Sequence, residues 1–398
     1  MLTYLVASCS LPVIESQGHV SSLVDMRSKN WTSTALTLLM LLFYHNLLRL
    51  YYTKRSRDIA SHGTKSLEGG GVDSGFAYVF YATADLYACS TLVNIQRLRD
   101  LNSTIPIHVL ASEYLSIPYM DALVAANVTV HVEETPQMSG LSGGYYQDCL
   151  LKLLAFKMHK LDPSLKRVIM FDSDQLILKH FDHLFSDIPS VDLAAPRAYW
   201  LPPGDAPFSS AFMLITLSDR LWEQINQTFP SDDLADQGPV RADMEVLNDE
   251  FRETAMILSG EYVTLNSHWE DWNIPNWFHP EASSPLLNRT SLPVPDLSEF
   301  VDQPSVEPQS ELNVQDIWSQ EPKKPAPRFP ADSEIFQNLL QLHEYASIVH
   351  FTGLGKPWTY NVQEVFNQRQ DAHPSFALQF GMWRKVAGDV CPEDWDIQ

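Results

Sequence analysis

Short apolar runs alternate with helix-like stretches along the chain from residue 76 onwards. The apolar runs are rich in β-branched and aromatic residues, which predicts buried strands at 76–83, 105–111, 128–134, 168–171, 209–218 and 346–351. Helical spacing between these runs predicts helices at 87–99, 119–127, 148–161, 219–229 and 242–251. Because strands that alternate with helices form a largely parallel sheet covered on both faces, we predict an α/β fold.

The N-terminal part of the chain lies outside this pattern. Residues 31–48 carry no charge and are rich in leucine, which predicts a transmembrane anchor at 31–52, with a buried or amphipathic helix as the alternative. A tail at 1–30 precedes the anchor, and a glycine-rich flexible stem at 53–75 follows it. We predict one large domain at 76–398, with a Pro-rich insertion at about 281–331 that shows no periodicity.

Two signals disagree about the orientation of this predicted anchor. Basic residues flank its uncharged run at 31–48 on both sides, and the larger group follows the run: Arg49, Lys54, Arg55 and Arg57. The positive-inside rule alone would therefore leave the large domain in the cytosol. Acceptor patterns for N-glycosylation favour the lumen instead, and they occur at Asn102, Asn127, Asn226 and Asn288.

Composition excludes some classes of function. The chain has 398 residues, of which 45 % are hydrophobic, enough for a large core. A formal net charge of −22 argues against a protein that binds the nucleic-acid backbone, which needs a basic face. It does not exclude a small phosphate-bearing ligand, because one metal ion and a few lysines neutralise such a ligand locally. Four scattered cysteines predict neither a disulfide framework nor a zinc site, although one bridge can form.

Two carboxylates, Asp172 and Asp174, follow the predicted strand at 168–171 ("VIMFDSDQLIL"). In an open α/β sheet, ligands bind beyond the carboxyl ends of the strands, so these acids are expected to face a crevice. Carboxylates spaced in this way bind a hard divalent cation such as magnesium or manganese. A turn capped by aspartate side chains is the alternative for the motif taken alone.

A second motif, "IVHFTGLGKPW", begins at residue 348. The predicted strand ends at His350, and Gly353, Gly355 and Lys356 follow. Glycines let backbone amides approach an anion, and lysine offers a compact positive charge to phosphate. The spacing is not that of a Walker loop, and a histidine on an apolar strand also occurs as an ordinary core residue.

Together, the two motifs resemble those of the retaining glycosyltransferases of family 8, which include glycogenin and the galactinol synthases. Three further segments follow the order of that family: "YATADLYACS" at 81–90, "SAFMLI" at 210–215 and "DMEVLNDEF" at 243–251. The resemblance covers roughly residues 76–360 outside the Pro-rich insertion. It implies the GT-A nucleotide-diphospho-sugar transferase fold, with a mixed, mostly parallel sheet, and at a finer level a membrane-anchored fungal branch that transfers N-acetylglucosamine.

The resemblance also implies a metal and a donor. Asp172, Asp174 and His350 would hold Mn²⁺ (or Mg²⁺), and the ion would bridge the diphosphate of a UDP-sugar and act as a Lewis acid towards the leaving UDP. Lys356 and the Gly353 amide would contact the same diphosphate.

The remaining implied roles concern the base and the sugar. Tyr87 would pack on uracil with Thr83 and Asp85 close by. Lys152 would hold the diphosphate or the sugar, and Asp243 would line the sugar site near the anomeric carbon.

This sequence departs from the family pattern around the donor sugar. Ala84 replaces a common asparagine, residues 209–211 read S-S-A instead of N-S-G, and Met244 replaces the glutamine that usually follows Asp243. An alternative "ADQG" at 235–238 lacks the downstream L-N-x-x-F, so Asp243 is preferred. The metal and the nucleotide are therefore better specified by the sequence than the sugar.

Three functional hypotheses follow. The first is a metal-dependent retaining glycosyltransferase in the Golgi membrane, single-pass with a lumenal catalytic domain, which moves N-acetylglucosamine or glucose from a UDP-sugar to a glycan or glycoprotein acceptor. The second is a cytosolic, glycogenin-like enzyme that primes a glucan. The third is a catalytically inactive glycan-binding scaffold. The sequence does not decide between a short-lived ion pair and a covalent intermediate.

Overall fold

The computed structural model describes residues 75–136, 149–202, 207–229, 241–280, 292–301 and 326–396, together with isolated helical positions between residues 40 and 54. The predicted anchor at 31–52 and stem at 53–75 lie almost entirely outside these residues, and so do most of the Pro-rich insertion and the "ADQG" segment. Within the described part of the chain, no helix combines the length and the apolar character needed to cross a membrane.

In the described part of the chain, ten strands alternate with helices. The strands are β1 Phe76–Ala82, β2 Ile107–Ser112, β3 Thr129–Glu133, β4 Arg167–Phe171, β5 Gln175–Ile177, β6 Leu193–Pro196, β7 Phe212–Thr216, β8 Met256–Leu258, β9 Thr264–Leu265 and β10 Ile348–His350. Seven strands form the central sheet in the order β3-β2-β1-β4-β7-β6-β8. All of its neighbouring pairs are parallel except β4–β7 and β6–β7. The predicted mixed α/β fold with a mostly parallel sheet is therefore confirmed.

The helices, numbered in chain order, are α1 Asp85–Asp100, α2 Ile117–Ala125, α3 Met158–Leu161, α4 Leu184–Asp187, α5 Asp219–Asn226, α6 Asp243–Phe251, α7 Ser267–Asp271, α8 Ser298–Val301, α9 Glu334–Tyr345, α10 Val362–Gln368 and α11 Pro374–Val390. The segment predicted as one helix at 148–161 is a 3₁₀ helix over Cys149–Lys157 that continues as α3. Two further 3₁₀ helices span Gly260–Val263 and Glu393–Asp396.

The central sheet is buried on both faces because side chains alternate along each strand. On β1, Tyr78 and Phe80 belong to one core, which also contains residues of α1 and α11. Ala77 and Val79 belong to the other core, which contains the 3₁₀ helix at Cys149–Lys157 together with residues of α5 and α6. Polar residues follow the carboxyl ends of β1 and β4, at Thr83 and at Asp172 to Asp174.

A second, three-stranded sheet has the order β5-β10-β9 and lies directly beyond the end of β4. β5 follows the D-x-D motif and pairs antiparallel with β10, so that Gln175 lies opposite His350. The Phe351 N–H also donates to the carbonyl of Asp174 at 3.2 Å. This small sheet, which the sequence did not predict, connects the two motifs although they are far apart in the chain.

Candidate active site

The D-x-D motif is fixed by hydrogen bonds to its backbone and to its middle residue. The Asp172 N–H donates to the Ala211 carbonyl at 3.0 Å, which extends the pairing of β4 with β7. Ser90 of α1 donates its hydroxyl to the Ser173 carbonyl at 2.5 Å, and Thr91 donates to the Ser173 hydroxyl at 3.2 Å. Because the backbone and Ser173 are held, the two aspartates are fixed in position at the end of β4.

Asp172, Asp174 and His350 lie together at this edge of the sheet. His350 Nε2 is 3.5 Å from Asp174 Oδ1, and one ligand atom from each of the three residues lies within 4.8 Å of the others. All three side chains are buried. The register of β10 against β5 places His350 here, because its strand partner Gln175 immediately follows Asp174.

The chemistry of these three residues fits a divalent cation. Neither ring nitrogen of His350 has a hydrogen-bond partner among the described residues, although both are buried. A buried polar atom without a partner costs free energy, which a coordinate bond would recover. Two carboxylates and one imidazole are ligands that manganese accepts, and magnesium binds the carboxylates.

Two lysines neutralise most of the negative charge in the site. Lys356 Nζ lies 2.6 Å from Asp174 Oδ2 and donates to the Phe351 carbonyl at 2.8 Å. Lys152 Nζ lies between Asp172 Oδ1 at 2.6 Å and Asp243 Oδ2 at 2.8 Å. Three carboxylates and two ammonium groups leave one excess negative charge, so a divalent ion would make the site positive and suited to a diphosphate.

Burial and the ion pairs act in opposite directions on the pKa values of these groups. Burial alone would raise the pKa of Asp174, but Lys356 and His350 hold it well below its usual range. Burial alone would lower the pKa of Lys152, but Asp172 and Asp243 hold it well above its usual value. Lys152 is therefore charged at neutral pH, as its position between two carboxylates requires.

Asp243 reaches the site from the N-terminus of α6. Its carboxylate accepts a hydrogen bond from the Ser210 hydroxyl. Further along α6, Asn248 fixes the segment that leads to Ser210, since its Nδ2 donates to the Phe208 carbonyl at 2.8 Å and its Oδ1 accepts from the Phe208 N–H at 2.9 Å. The asparagine of the L-N-x-x-F motif thus positions the chain around residues 208–210.

The predicted base-binding residues lie where β1 leads into α1, with Thr83 in the turn and Asp85 and Tyr87 in the first turn of α1. Thr83 is half-buried in that turn, and Asp85 begins α1. The Asp85 carboxylate accepts from the Ser116 N–H at 2.9 Å, which connects this turn to the loop after β2. The half-buried Tyr87 ring meets the Trp358 ring edge-on, with centroids 5.1 Å apart.

Hydrogen bonds to the side chain of Asn266 hold the glycine-rich loop after β10. Its side-chain oxygen accepts from the N–H groups of Thr352 and Gly353, both at 2.7 Å. The Gly353 amide, which the resemblance assigned to the diphosphate, therefore donates within the chain in this structure. A Cβ at Gly353 would lie 2.3 Å from Glu270 Oε2 and 3.2 Å from the Ser267 Cα, so no larger residue fits without displacement.

Several residues that shape this site were not singled out from the sequence. Ser90 and Thr91 lie on the buried face of α1, and Asn94 donates from the same helix to the Gln175 carbonyl at 2.7 Å. Polar residues within an apolar helical face ("ACSTLVNI") were a visible signal for them. Asn266 had no such signal, because nothing in its neighbourhood resembles a known motif.

Known proteins resemble parts of this chain. No protein-family profile matches the sequence. A Gibberella zeae protein named Glucose N-acetyltransferase 1 is 33 % identical over 200 residues, which cover 46 % of this chain and 42 % of that protein. An Aspergillus fumigatus protein of the same name is 30 % identical over 203 residues, which cover 46 % and 52 %. The chain thus spans about half the length of the curated relatives it matches.

Solved glycosyltransferase structures are similar at a lower level. The galactosyltransferase LgtC, in complex with donor and acceptor sugar analogues, has a TM-score of 0.44 and 14 % identity, and the alignment covers 80 % of this chain and 98 % of LgtC. The bifunctional glycosyltransferase WbbM has the same TM-score of 0.44 and 14 % identity, over 80 % of this chain and 52 % of WbbM.

Proposed function

We propose, from the kinship of this chain with sugar-transferring enzymes of the glycosyltransferase family 8 kind, that it is a metal-dependent, retaining glycosyltransferase of the GT-A fold. The kinship was predicted from the sequence, and two curated relatives named Glucose N-acetyltransferase 1, each matched over about half its length, support it. The donor in this proposal is a UDP-sugar that carries N-acetylglucosamine or glucose, and the acceptor is a glycan or glycoprotein.

The observation that carries the proposal is the convergence of two distant motifs on one buried site. Asp172, Asp174 and His350 meet there within ligand distance of one another. Lys152 and Lys356 each bind one of the two aspartates. A turn that is merely capped by aspartates needs neither two buried lysines nor a buried histidine whose ring nitrogens lack hydrogen-bond partners among the described residues.

In the proposed reaction, this chain's residues hold the donor and receive the charge that develops on UDP. Asp172, Asp174 and His350 would hold manganese, which when bound supplies Lewis-acid stabilisation of the leaving diphosphate. Lys356 would exchange part of its contact with Asp174 for a diphosphate oxygen. Lys152 would stay between its two carboxylates, and its positive charge would stabilise the diphosphate oxygens.

Asp243 and Ser210 would form the polar wall of the sugar pocket. Their hydrogen bond directs the hydroxyl of Ser210 to the carboxylate and leaves the second carboxylate oxygen for the donor sugar or for the face at which the acceptor enters. Because serine and alanine replace the usual asparagine and glycine at 209–211, we expect donor selectivity to differ from that of other members of the family.

A donor screen tests the proposed activity. The chain from residue 75 onwards is incubated with each common UDP-sugar, and UDP release is measured with manganese, with magnesium and with a chelator. We expect release from UDP-N-acetylglucosamine or UDP-glucose that requires a metal. Because the name of the relatives can also denote acetyl transfer, acetyl-CoA with glucose serves as a control donor. Absence of UDP release with every donor would instead favour the inactive scaffold.

The proposed location is the Golgi lumen, and two features support it. Cys89 of α1 and Cys391, which follows α11, form a disulfide, a bond that is rare in the cytosol. The acceptor asparagines Asn102, Asn127 and Asn226 are exposed, as glycosylation requires. Both features disfavour the cytosolic glucan-priming alternative, which the basic residues after the predicted anchor had left open.

Removal of the disulfide is expected to destabilise the fold. Cys89→Ser should lower the free energy of unfolding by about 2–5 kcal/mol, because the cross-link closes a very long loop. Urea denaturation measures the change, and Cys149→Ser is the control, since Cys149 is not part of the disulfide. For the location, protein made in cells should lose apparent mass on treatment with N-glycosidase. A chain that carries neither glycans nor the disulfide would contradict the lumenal proposal.

Gly353→Ala is expected to weaken donor binding. The new methyl group must displace Glu270, whose carboxylate is bound by Arg369, or shift the loop that precedes Lys356. We expect KM for the donor to rise roughly tenfold, which corresponds to about 1.4 kcal/mol. Gly388→Ala is the matched control, because a Cβ there meets no atom within 4 Å. An unchanged KM in Gly353→Ala would show that this loop does not position the diphosphate.

A further inference from the structure

Tyr81 lies beside Asp172 at the carboxyl edge of the central sheet. The parallel pairing of β1 with β4 matches Val79 with Met170, and two residues further along the chain lie Tyr81 and Asp172. Because side chains repeat their direction every second residue along a strand, Tyr81 shares the face of Val79. Tyr81 belongs to the core that contains Val79 and Met170, and only 6 % of it is exposed. The fold therefore puts a buried tyrosine next to the first aspartate of the D-x-D motif.

Three contacts join Tyr81 to the candidate active site. Its hydroxyl donates to Asp172 Oδ1 at 3.2 Å. Its backbone carbonyl accepts a hydrogen bond from the Ser173 hydroxyl. Its ring lies under the ammonium group of Lys152, with Nζ 5.4 Å from the ring centroid, and the same Nζ is 2.6 Å from Asp172 Oδ1. Tyr81 thus contacts both members of the ion pair between Lys152 and Asp172, with different parts of one side chain.

The two carboxylate oxygens of Asp172 have different surroundings. Oδ1 accepts from both Tyr81 and Lys152, whereas no described residue donates a hydrogen bond to Oδ2. An oxygen that already holds two donors has little capacity left for a cation, so Oδ2 is the oxygen that is available to a metal ion. Asp172 is also the most exposed of the three proposed ligands, with 8 % of the residue accessible, against 3 % for Asp174 and 4 % for His350.

A hydrogen bond to Oδ1 restricts the rotation of the Asp172 carboxylate. Burial, followed by the charge of Asp172, raises the pKa of Tyr81 well above its usual value, so the phenol keeps its proton and remains a donor. The donor favours the arrangement in which Oδ1 stays with Tyr81 and Lys152 and Oδ2 stays free. Hydrogen bonds that orient a metal ligand in this way typically change metal affinity by about ten- to a hundredfold.

We propose that Tyr81 is a positioning residue for the metal, and that it holds Asp172 so that this carboxylate presents a single oxygen, Oδ2, to a hard divalent cation. This role rests on the proposed metal-dependent function. Tyr81 acts through Asp172 and takes no part in the transfer itself. Lys152 fixes Oδ1 by charge, which has little directional preference, and the tyrosine hydroxyl adds a directional hydrogen bond to the same oxygen.

Manganese binding to Tyr81→Phe in the full chain tests this role without turnover. Phenylalanine keeps the ring beside Lys152 and removes only the hydroxyl. Electron paramagnetic resonance detects free Mn²⁺, so a titration gives the Kd of the ion. It is measured without nucleotide and again with UDP, corrected for the manganese that UDP itself binds. We expect the Kd to rise about tenfold in both titrations, as for other groups that orient a metal ligand.

Tyr78→Phe is the matched control. Tyr78 lies on the same strand, is fully buried in the other core, and donates its hydroxyl to Asp182, outside the metal site. We expect its manganese Kd to equal that of the wild type, and urea denaturation without metal checks that both variants are folded. In steady-state kinetics, Tyr81→Phe should need more manganese for half-maximal turnover, while kcat at saturating manganese stays near the wild-type value, because only binding of the ion is weakened.

The other outcomes overturn this role in distinguishable ways. An unchanged Kd in folded Tyr81→Phe would show that the hydroxyl does not position Asp172, and it would leave the metal centre itself intact. An equal rise in Tyr78→Phe would mean that the loss of any buried hydroxyl on this strand suffices. A lower kcat at saturating manganese with an unchanged Kd would assign Tyr81 to the reaction instead of the metal. Absence of manganese binding by the wild type in both titrations would contradict the proposed function, and the role of Tyr81 with it.

Discussion

Asp174→Asn is expected to reduce metal-dependent UDP-sugar turnover by about a thousandfold or more, which corresponds to about 4 kcal/mol of transition-state stabilisation. Asparagine has the shape of aspartate but is neutral, so it loses the charge that would hold the metal. Asp174 also contacts both His350 and Lys356, so its charge contributes to every part of the proposed diphosphate site. Steady-state kinetics across a manganese titration measure the loss.

The stability of the same variant separates the metal role from a structural one. In Asp174→Asn, Lys356 loses its buried counter-ion, and a broken buried ion pair costs about 3–5 kcal/mol. We therefore measure the free energy of unfolding and compare activity only where the fold is intact. Asp192→Asn removes a carboxylate from an exposed ion pair with Arg220 and should change neither property. A folded Asp174→Asn variant that keeps metal-dependent turnover would contradict the proposed centre.

Asp172→Asn should give the same kinetic result at a lower structural cost. Its partner Lys152 keeps a second carboxylate, Asp243, at 2.8 Å after the substitution. The two aspartate variants thus differ in stability but agree in activity if both residues hold the metal.

The local elements of this fold could be predicted because their signals are local. The runs that became β1, β2, β3, β4 and β7 are apolar, rich in β-branched residues and bounded by polar turns. The helix predicted at 87–99 exists as α1, Asp85–Asp100, although its capping residue Ala84 contributes no side-chain bond. Such elements can be predicted because hydrophobic periodicity depends only on residues that are close together in the sequence.

The elements that the sequence did not predict depend on distant partners. β5 and β9 have only three and two residues and become strands because β10 lies between them. The segment predicted as a helix at 148–161 has helical spacing, yet most of it is the 3₁₀ helix Cys149–Lys157. In that segment Lys152 is held between two carboxylates from other elements, and hydrophobic periodicity carries no information about such contacts.

The candidate site also contains features that could be predicted from the sequence and features that could not. The metal triad could be proposed because each member lies in a recognisable motif and the resemblance joined the motifs. The pairing of Lys356 with Asp174 could not be predicted, because it depends on the conformation of the glycine-rich loop that carries Lys356. The contact of Ser210 with Asp243 was also hidden, although both residues lie in segments that the resemblance identified.

Lys152→Met is expected to destabilise the protein by about 3–5 kcal/mol and to lower turnover about a hundredfold. Methionine keeps much of the length of the side chain but removes the ammonium group between Asp172 and Asp243. Two buried carboxylates are then left without a cation, and the pKa of Asp172, which burial already raises against the effect of Lys152, rises further. Urea denaturation and donor kinetics measure the two effects.

The pH dependence of this variant gives a sharper test. Carboxylates whose pKa is raised in the folded state destabilise it above that pKa, and the penalty disappears as they become protonated. The difference in unfolding free energy between Lys152→Met and the wild type should therefore shrink as the pH falls from 8 towards 5. The matched control is Lys157→Met on the same 3₁₀ helix, where a partly exposed lysine pairs with the carboxylate of Glu133 at 2.8 Å. Its loss should be smaller, because only one carboxylate then lacks its cation, whereas Lys152→Met leaves two. If the Lys152→Met penalty were equal at both ends of this pH range, the lysine would act by packing, and its proposed electrostatic role at the diphosphate would lose its physical basis.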